Sequence, residues 1–126
     1  MNRTVMRRSL FWPTWSIFVR GDVYELQIPK GTRGHEQSGS RYGVVVQSDL
    51  LPLSTWLIAP TSTSSRDASF RPVVNINGQM AMVLAEQTTA IDPQRLGSRV
   101  GHLTRSELDS VEDALLVVFD LNQSAR

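Results

Sequence analysis

No cysteine occurs anywhere in the 126 residues. That absence excludes a disulfide framework, a thiolate zinc site and a cysteine nucleophile, and it fits a reducing compartment. Histidine is almost as scarce. His35 and His102 stand far apart, with no HxxxH or HxH spacing, so a histidine metal cluster is not expected and no cofactor is implied. There is no internal repeat and no low-complexity tract. No apolar run approaches the roughly twenty residues that a membrane-spanning helix requires. The run Leu10-Phe11-Trp12-Pro13-Thr14-Trp15-Ser16-Ile17-Phe18 follows Arg7-Arg8, but Pro13 interrupts it and no A-x-A site comes after it. Neither export nor membrane insertion is expected of it. Residues 1–19 read as an N-terminal extension whose aromatics pack on the body or on a partner, or as the product of an upstream start codon, ahead of one domain at 20–126.

What is present is the composition of a soluble globular fold, 40% hydrophobic and 20% charged. The formal net charge of +1 hides a split. Residues 1–102 carry eleven Lys/Arg against seven Asp/Glu, whereas residues 103–126 carry two against five. A weakly basic body of this kind suits a phosphate-bearing partner, and its acidic end does not.

Short β signals dominate the chain. Val23–Ile28 alternates, with Tyr24, Leu26 and Ile28 on one face and Glu25 and Gln27 on the other. Pro29 ends that strand and a glycine-rich loop follows to Ser40. Tyr42–Gln47 contains Val44-Val45-Val46, which points to burial on both faces. Asp49–Pro52 reads as a turn, and Thr55–Ala59 as a third strand ended by Pro60. Residues 61–67 read as a polar loop unsuited to any core. Pro72–Ile76, the turn Asn77-Gly78 and Met80–Ala85 form a hairpin. Asp92-Pro93 starts a short helical turn, and Arg99–Leu103 makes a last short strand. Thr104-Arg105-Ser106-Glu107 is a capping box, after which Leu108, Val111, Leu115 and Val118 recur at helical spacing to about Leu121. Five or six short strands with one terminal packing helix predict a mainly β, largely antiparallel small barrel or half-barrel.

One loop carries the chemistry. Gly34-His35-Glu36-Gln37-Ser38-Gly39-Ser40 delivers Arg41 to the mouth of an apolar strand, an arrangement able to grip a phosphate. With Arg20-Gly21-Asp22-Val23-Tyr24 before it, the segment Ala59–Thr63 (A-P-T-S-T), Ala85-Glu86-Gln87, Arg95-Leu96-Gly97 and the V-G-H-L-T-x-x-E-L start of the last helix, the order of stations resembles the MazF/PemK family of toxin endoribonucleases across residues 20–121. The resemblance implies an SH3-like barrel with a C-terminal helix, the MazF/CcdB-like toxin fold. It also implies a cytoplasmic homodimer that cuts single-stranded RNA at short sequences without a metal, and a cognate antitoxin that lays an extended acidic tail across the RNA groove. The chain departs from the family pattern at Tyr42, where proline is usual, at Ser62, where threonine is usual, and in a longer loop carrying Lys30, Arg33 and His35.

By that resemblance Arg41, Ser62 and Glu36 are the catalytic candidates. A guanidinium matches phosphate oxygens bidentately and holds its charge. A hydroxyl at Ser62 either bonds the scissile phosphate or orients the attacking 2′-hydroxyl. Glu36, or His35 beside it, is placed to act as a base. His35, Gln37, Thr61, Thr63 and Gln87 are candidates to touch the RNA, Gln87 as a base-reading amide. Lys30, Arg33 and Arg66 are candidates for phosphate contacts. Trp56 and Phe70 are able to stack on bases, although Trp56 sits in an apolar strand and reads as core. A competing class uses the same barrel as a non-catalytic grip on a protein target, as gyrase-poisoning toxins do. A third is a purely structural sheet domain.

Overall fold

The structure, a computed structural model, describes residues 19–27 and 41–121. Seven strands and one α-helix account for them: β1 (Asp22–Leu26), β2 (Arg41–Val45), β3 (Trp56–Ser62), β4 (Val73–Ile76), β5 (Gln79–Val83), β6 (Thr89–Ile91), β7 (Leu96–His102) and α1 (Arg105–Val118). All pairings are antiparallel, in the order β4-β5-β3-β2-β1-β7, with β6 also paired to β3. This is the mainly β half-barrel with a C-terminal helix that the strand signals imply. No described helix is long and apolar enough to cross a membrane.

Both faces of the central strands are covered. Val23, Val44, Val46, Ala59, Val74 and Val83 form one cluster, closed by Leu103, Leu108 and Val111 from α1 and its approach. Val45, Trp56 and Ile58 form a second cluster on the opposite face, with Tyr24, Leu26, Ile91 and Leu96 against it. The valine run thus splits its side chains between two cores, as its composition suggests. Trp56 is core at 2% exposure, with Tyr24 edge-on to it at 5.6 Å and 63°. Gly43 has to be glycine, because a Cβ there would lie 2.4 Å from Ile58 Cγ2 and 3.0 Å from Leu26 Cδ2. Gly43→Ala is therefore expected to cost about 1–3 kcal/mol through overpacking. In a thermal melt this is a Tm lower by roughly 5–15 °C.

The reading of β3 needs correction. Proline at position 60 does not end it, and Thr61 and Ser62 are strand residues buried to 3% and 5% exposure, not part of a polar loop. The cause is the position of Pro60 at a corner. On its far edge β3 is paired to β6 through Ile58 and to β5 from Thr61 onward. Pro60 falls in the gap between these partners, so its missing N–H breaks no ladder bond, while its carbonyl accepts from Leu84 N at 2.8 Å. Other boundaries shift as well. The fifth strand stops at Val83 because Ala85–Gln87 turns into a 3₁₀ helix, and β7 begins at Leu96, three residues before the expected Arg99. The short β6 carried no periodic signal. The expected extension of the first strand to Ile28 lies outside the described residues.

The turn and cap readings hold. Asn77 and Gly78 both have positive φ, 53° and 85°, as the tight hairpin requires. Thr104 Oγ1 accepts from Glu107 N at 3.1 Å, and Glu107 Oε1 accepts from Thr104 N at 3.0 Å. Glu107 Oε2 also accepts from Asn75 N at 2.8 Å, which ties the helix start to β4. Partial burial pushes the Glu107 carboxyl upward, but the bonds from Thr104 and Asn75 outweigh it and hold its pKa below the usual range. A lowered folded value stabilises the fold above the unfolded-chain value of about 4.3, and the gain is lost as pH falls through the folded value. Glu107→Gln should therefore lower the urea midpoint near neutral pH, with the gap from wild type narrowing below about pH 4. Equal gaps at both pH values would contradict this linkage.

Candidate active site

The Arg20–Tyr24 segment turns out to be architectural. Gly21 has φ 97°, and a Cβ there would lie 3.1 Å from the His102 ring. Asp22 is 4% exposed. Its Oδ2 accepts from Val19 N at 3.0 Å, and its Oδ1 takes both His102 Nδ1 at 2.9 Å and Arg99 Nε at 3.1 Å. One buried carboxylate thereby pins the start of β1 to the middle and the last residue of β7.

Arg41 opens β2 opposite Leu26, at the end of β1 away from Asp22. The β2–β3 ladder ends at Gly43 and Pro60, and the same register carried two residues further would set Arg41 opposite Ser62. Ser62 in turn pairs with Met82 of β5, and Met82 with Val73 of β4. Directly opposed residues share a face. Ser62, Met82 and Val73 therefore form a row across three strands on one face of the sheet, and Arg41 reaches its β3 end through the Thr61 carbonyl. The Arg41 guanidinium is held there by Nη2, which donates to the Thr61 carbonyl at 3.3 Å, the carbonyl of the Thr61–Ser62 peptide itself. Among the described residues its buried Nε has no acceptor.

The Ser62 hydroxyl is oriented by its own loop. It accepts from Ser64 N at 3.2 Å and lies 2.8 Å from Ser65 Oγ. The contact with Ser65 is hydroxyl to hydroxyl, so either oxygen can be the donor in it. Thr61 takes the other face: its hydroxyl donates to the Tyr42 carbonyl at 3.2 Å and is buried, a tie between β3 and β2. Thr63 is exposed at the rim of a hollow of about 170 Å³ that also takes in Ser62, Asp67, Val73, Met80 and Met82.

The loop after Thr63 is braced by a residue that sequence reasoning passed over. Arg71 Nη1 donates to the Arg66 carbonyl at 2.9 Å, and its Nη2 meets Glu86 Oε2 at 2.6 Å. Its guanidinium also lies over the Phe70 ring at 5.7 Å. Burial raises the Glu86 carboxyl, but the Arg71 bonds and charge more than offset it and leave its pKa lowered. Gln87, next to Glu86, is exposed and is joined to the same loop by that pair, while Arg66 presents an exposed side chain on it. The structure thus brings Arg41 and Ser62 together, with Thr63 beside them and Arg66 and Gln87 on the braced flank. Lys30, Arg33, His35, Glu36 and Gln37 lie outside the described residues. Ser65, Asp67 and Met80 escaped notice. The alternation of Met80 and Met82 in a hairpin strand was the available signal.

Comparison with known proteins gives one consistent answer. A family model described as "PemK-like, MazF-like toxin of type II toxin-antitoxin system" matches residues 19–119. A Mycobacterium tuberculosis (strain H37Rv) protein assigned as a toxin is 37% identical over 98 residues, covering 77% of this chain and 92% of that protein. Endoribonuclease EndoA of Bacillus subtilis (strain 168) is 30% identical over 109 residues, covering 80% and 93%. A solved mycobacterial endoribonuclease in complex with its cognate antitoxin superposes with a TM-score of 0.68 at 16% identity, covering 82% of this chain and 95% of that one. At that identity the likeness is one of fold.

Proposed function

We propose that this chain, which belongs to the PemK-like, MazF-like toxin family of type II toxin–antitoxin systems, is an endoribonuclease that cuts single-stranded RNA at short sequences in the cytoplasm, without a metal ion, and is silenced by a cognate antitoxin. The observation that carries the reading is the bond from the Arg41 guanidinium to the carbonyl of the peptide that joins Thr61 to Ser62, which brings the two site residues to one edge of β3.

The chemistry follows from those groups. The attacking 2′-hydroxyl makes a fifth bond to phosphorus, and the 5′-oxygen leaves with a proton. The products are a 2′,3′-cyclic phosphate and a 5′-hydroxyl. Negative charge builds on the non-bridging oxygens in between. Arg41 stabilises that charge with a fixed cation and a planar pair of donors. Ser62, next to the peptide that the Arg41 guanidinium holds, is assigned a hydrogen bond to the same oxygens. The base and acid fall to Glu36 or His35, on the loop that runs into Arg41. Guanidinium is a poor proton donor, so Arg41 is assigned charge stabilisation alone.

Two further parts of the reading have support in the surface. Leu116, Val117, Phe119 and Leu121 are exposed at the end of α1, a patch of the kind that a homodimer buries. An acidic antitoxin segment would compete for the cation that holds the phosphate. The test is incubation of purified protein with RNA in EDTA. Discrete fragments with 5′-hydroxyl ends support the reading. Intact RNA, together with growth arrest that survives Arg41→Ala, would favour a protein target instead.

A further inference from the structure

The row that begins at Ser62, beside Arg41, does not end there. On the same face it runs into Met82 and Val73, with Met80 one strand step away. Met80 and Val73 are 56% and 52% exposed, although Ser62 and Met82 beside them are buried. With Ser62, Thr63 and Asp67 they line the hollow of about 170 Å³. Asp67 is exposed, and its carboxylate makes no hydrogen bond or ion pair with the described residues. An apolar floor, an uncommitted carboxylate at the rim and a hydroxyl at the end nearest the cation make a distinct chemical pattern. The floor suits the face of a flat ring. The carboxylate accepts hydrogen bonds and donates none.

We infer that this hollow receives the nucleobase next to the scissile phosphate, and that Asp67 selects a base carrying an amino group, adenine, cytosine or guanine, against uracil. The inference rests on the RNA-cleaving reading for its biological meaning, and it deepens that reading by assigning a base-selecting residue. Each amino-bearing base offers an N–H₂ on its Watson–Crick edge for Asp67 to accept, which is the edge that proteins read in single-stranded RNA. Carboxylates accept from such amino groups. Uracil instead flanks its one N–H with two carbonyl oxygens, which the carboxylate repels. Continuity of the row places the base on Met80 and Met82 while its phosphate reaches Ser62 and Arg41.

Two arms test the inference, the second of them independent of cleavage. In the first, wild type and Asp67→Asn cut a randomised single-stranded RNA. Wild type should show roughly tenfold depletion of uridine at one position flanking the cut, and Asp67→Asn, whose amide both donates and accepts, should abolish that depletion while still cutting. In the second, the 3′- and 5′-monophosphates of adenosine, cytidine, guanosine and uridine are titrated into methyl-labelled protein, and the ε-methyl signals of Met80 and Met82, assigned with Met80→Leu, are followed by NMR. Shifts with the three amino-bearing nucleotides and none with uridine support the inference, even if the protein cuts no RNA. Equal shifts for all four, no shift for any, or discrimination unchanged in Asp67→Asn overturns it. Failure to cut RNA in the first arm with selective shifts in the second removes the cleavage reading and leaves the base site standing.

Discussion

Replacing Arg41 with alanine is expected to slow RNA cleavage by roughly a hundred- to a thousandfold, the loss typical of a preorganised donor to a developing anion. The side chain stands at the first residue of β2, fixed to the Thr61 carbonyl by one guanidinium nitrogen. In the proposed reading its other terminal nitrogen is the donor that meets the phosphate. The interaction strengthens as charge accumulates in the transition state, so the loss should fall on kcat more than on KM. Arg41→Lys is expected to recover little, because an ammonium has the charge without the planar fork. The fold should survive, since one bond to a strand carbonyl is the only hydrogen bond that the Arg41 side chain makes among the described residues. Circular dichroism beside single-turnover cleavage assays separates the two effects. An alanine variant within tenfold of wild type would remove Arg41 from the chemistry.

The second large effect is on stability, at Asp22. Asp22→Ala is expected to cost about 3 kcal/mol, because it strips a buried acceptor from Val19 N and removes charged bonds to His102 and Arg99. Arg99 and His102 are 53% and 38% exposed in their side chains, so water recovers part of what they lose, and the effect stays below that of a wholly buried pair. For a domain of this size the melting temperature should fall by roughly 10–20 °C. A change of a degree or two would mean that the Asp22 cluster does not anchor β1 to β7.

Much of this architecture was legible in the residues. The capping box, the Asn77-Gly78 turn and the valine run each state a local rule that no tertiary contact overrides. Pro60 misled, because proline ends most strands and its tolerance here depends on a change of partner strand that only the assembled sheet reveals. The same hidden register concealed the site. Arg41 and Ser62 are separated by twenty-one positions in the numbering, and nothing local says that they meet at one edge of β3. The family stations named both, but not the bond that ties the Arg41 guanidinium to the peptide before Ser62. Asp22 shows the converse. It stood in the sequence only as one station of the family resemblance, and its burial with bonds to β7 shows the structural job that it does.

The most direct measurement is a double-mutant cycle on the cleavage step, with Arg41→Ala, Ser62→Ala and the pair compared in single-turnover assays on one RNA. Both groups are held to stabilise the same phosphate oxygens, so each single change should slow cleavage and the pair should cost much less than the product of the two losses. Two independent losses that multiply in full, or singles that cut at the wild-type rate, would contradict a shared site.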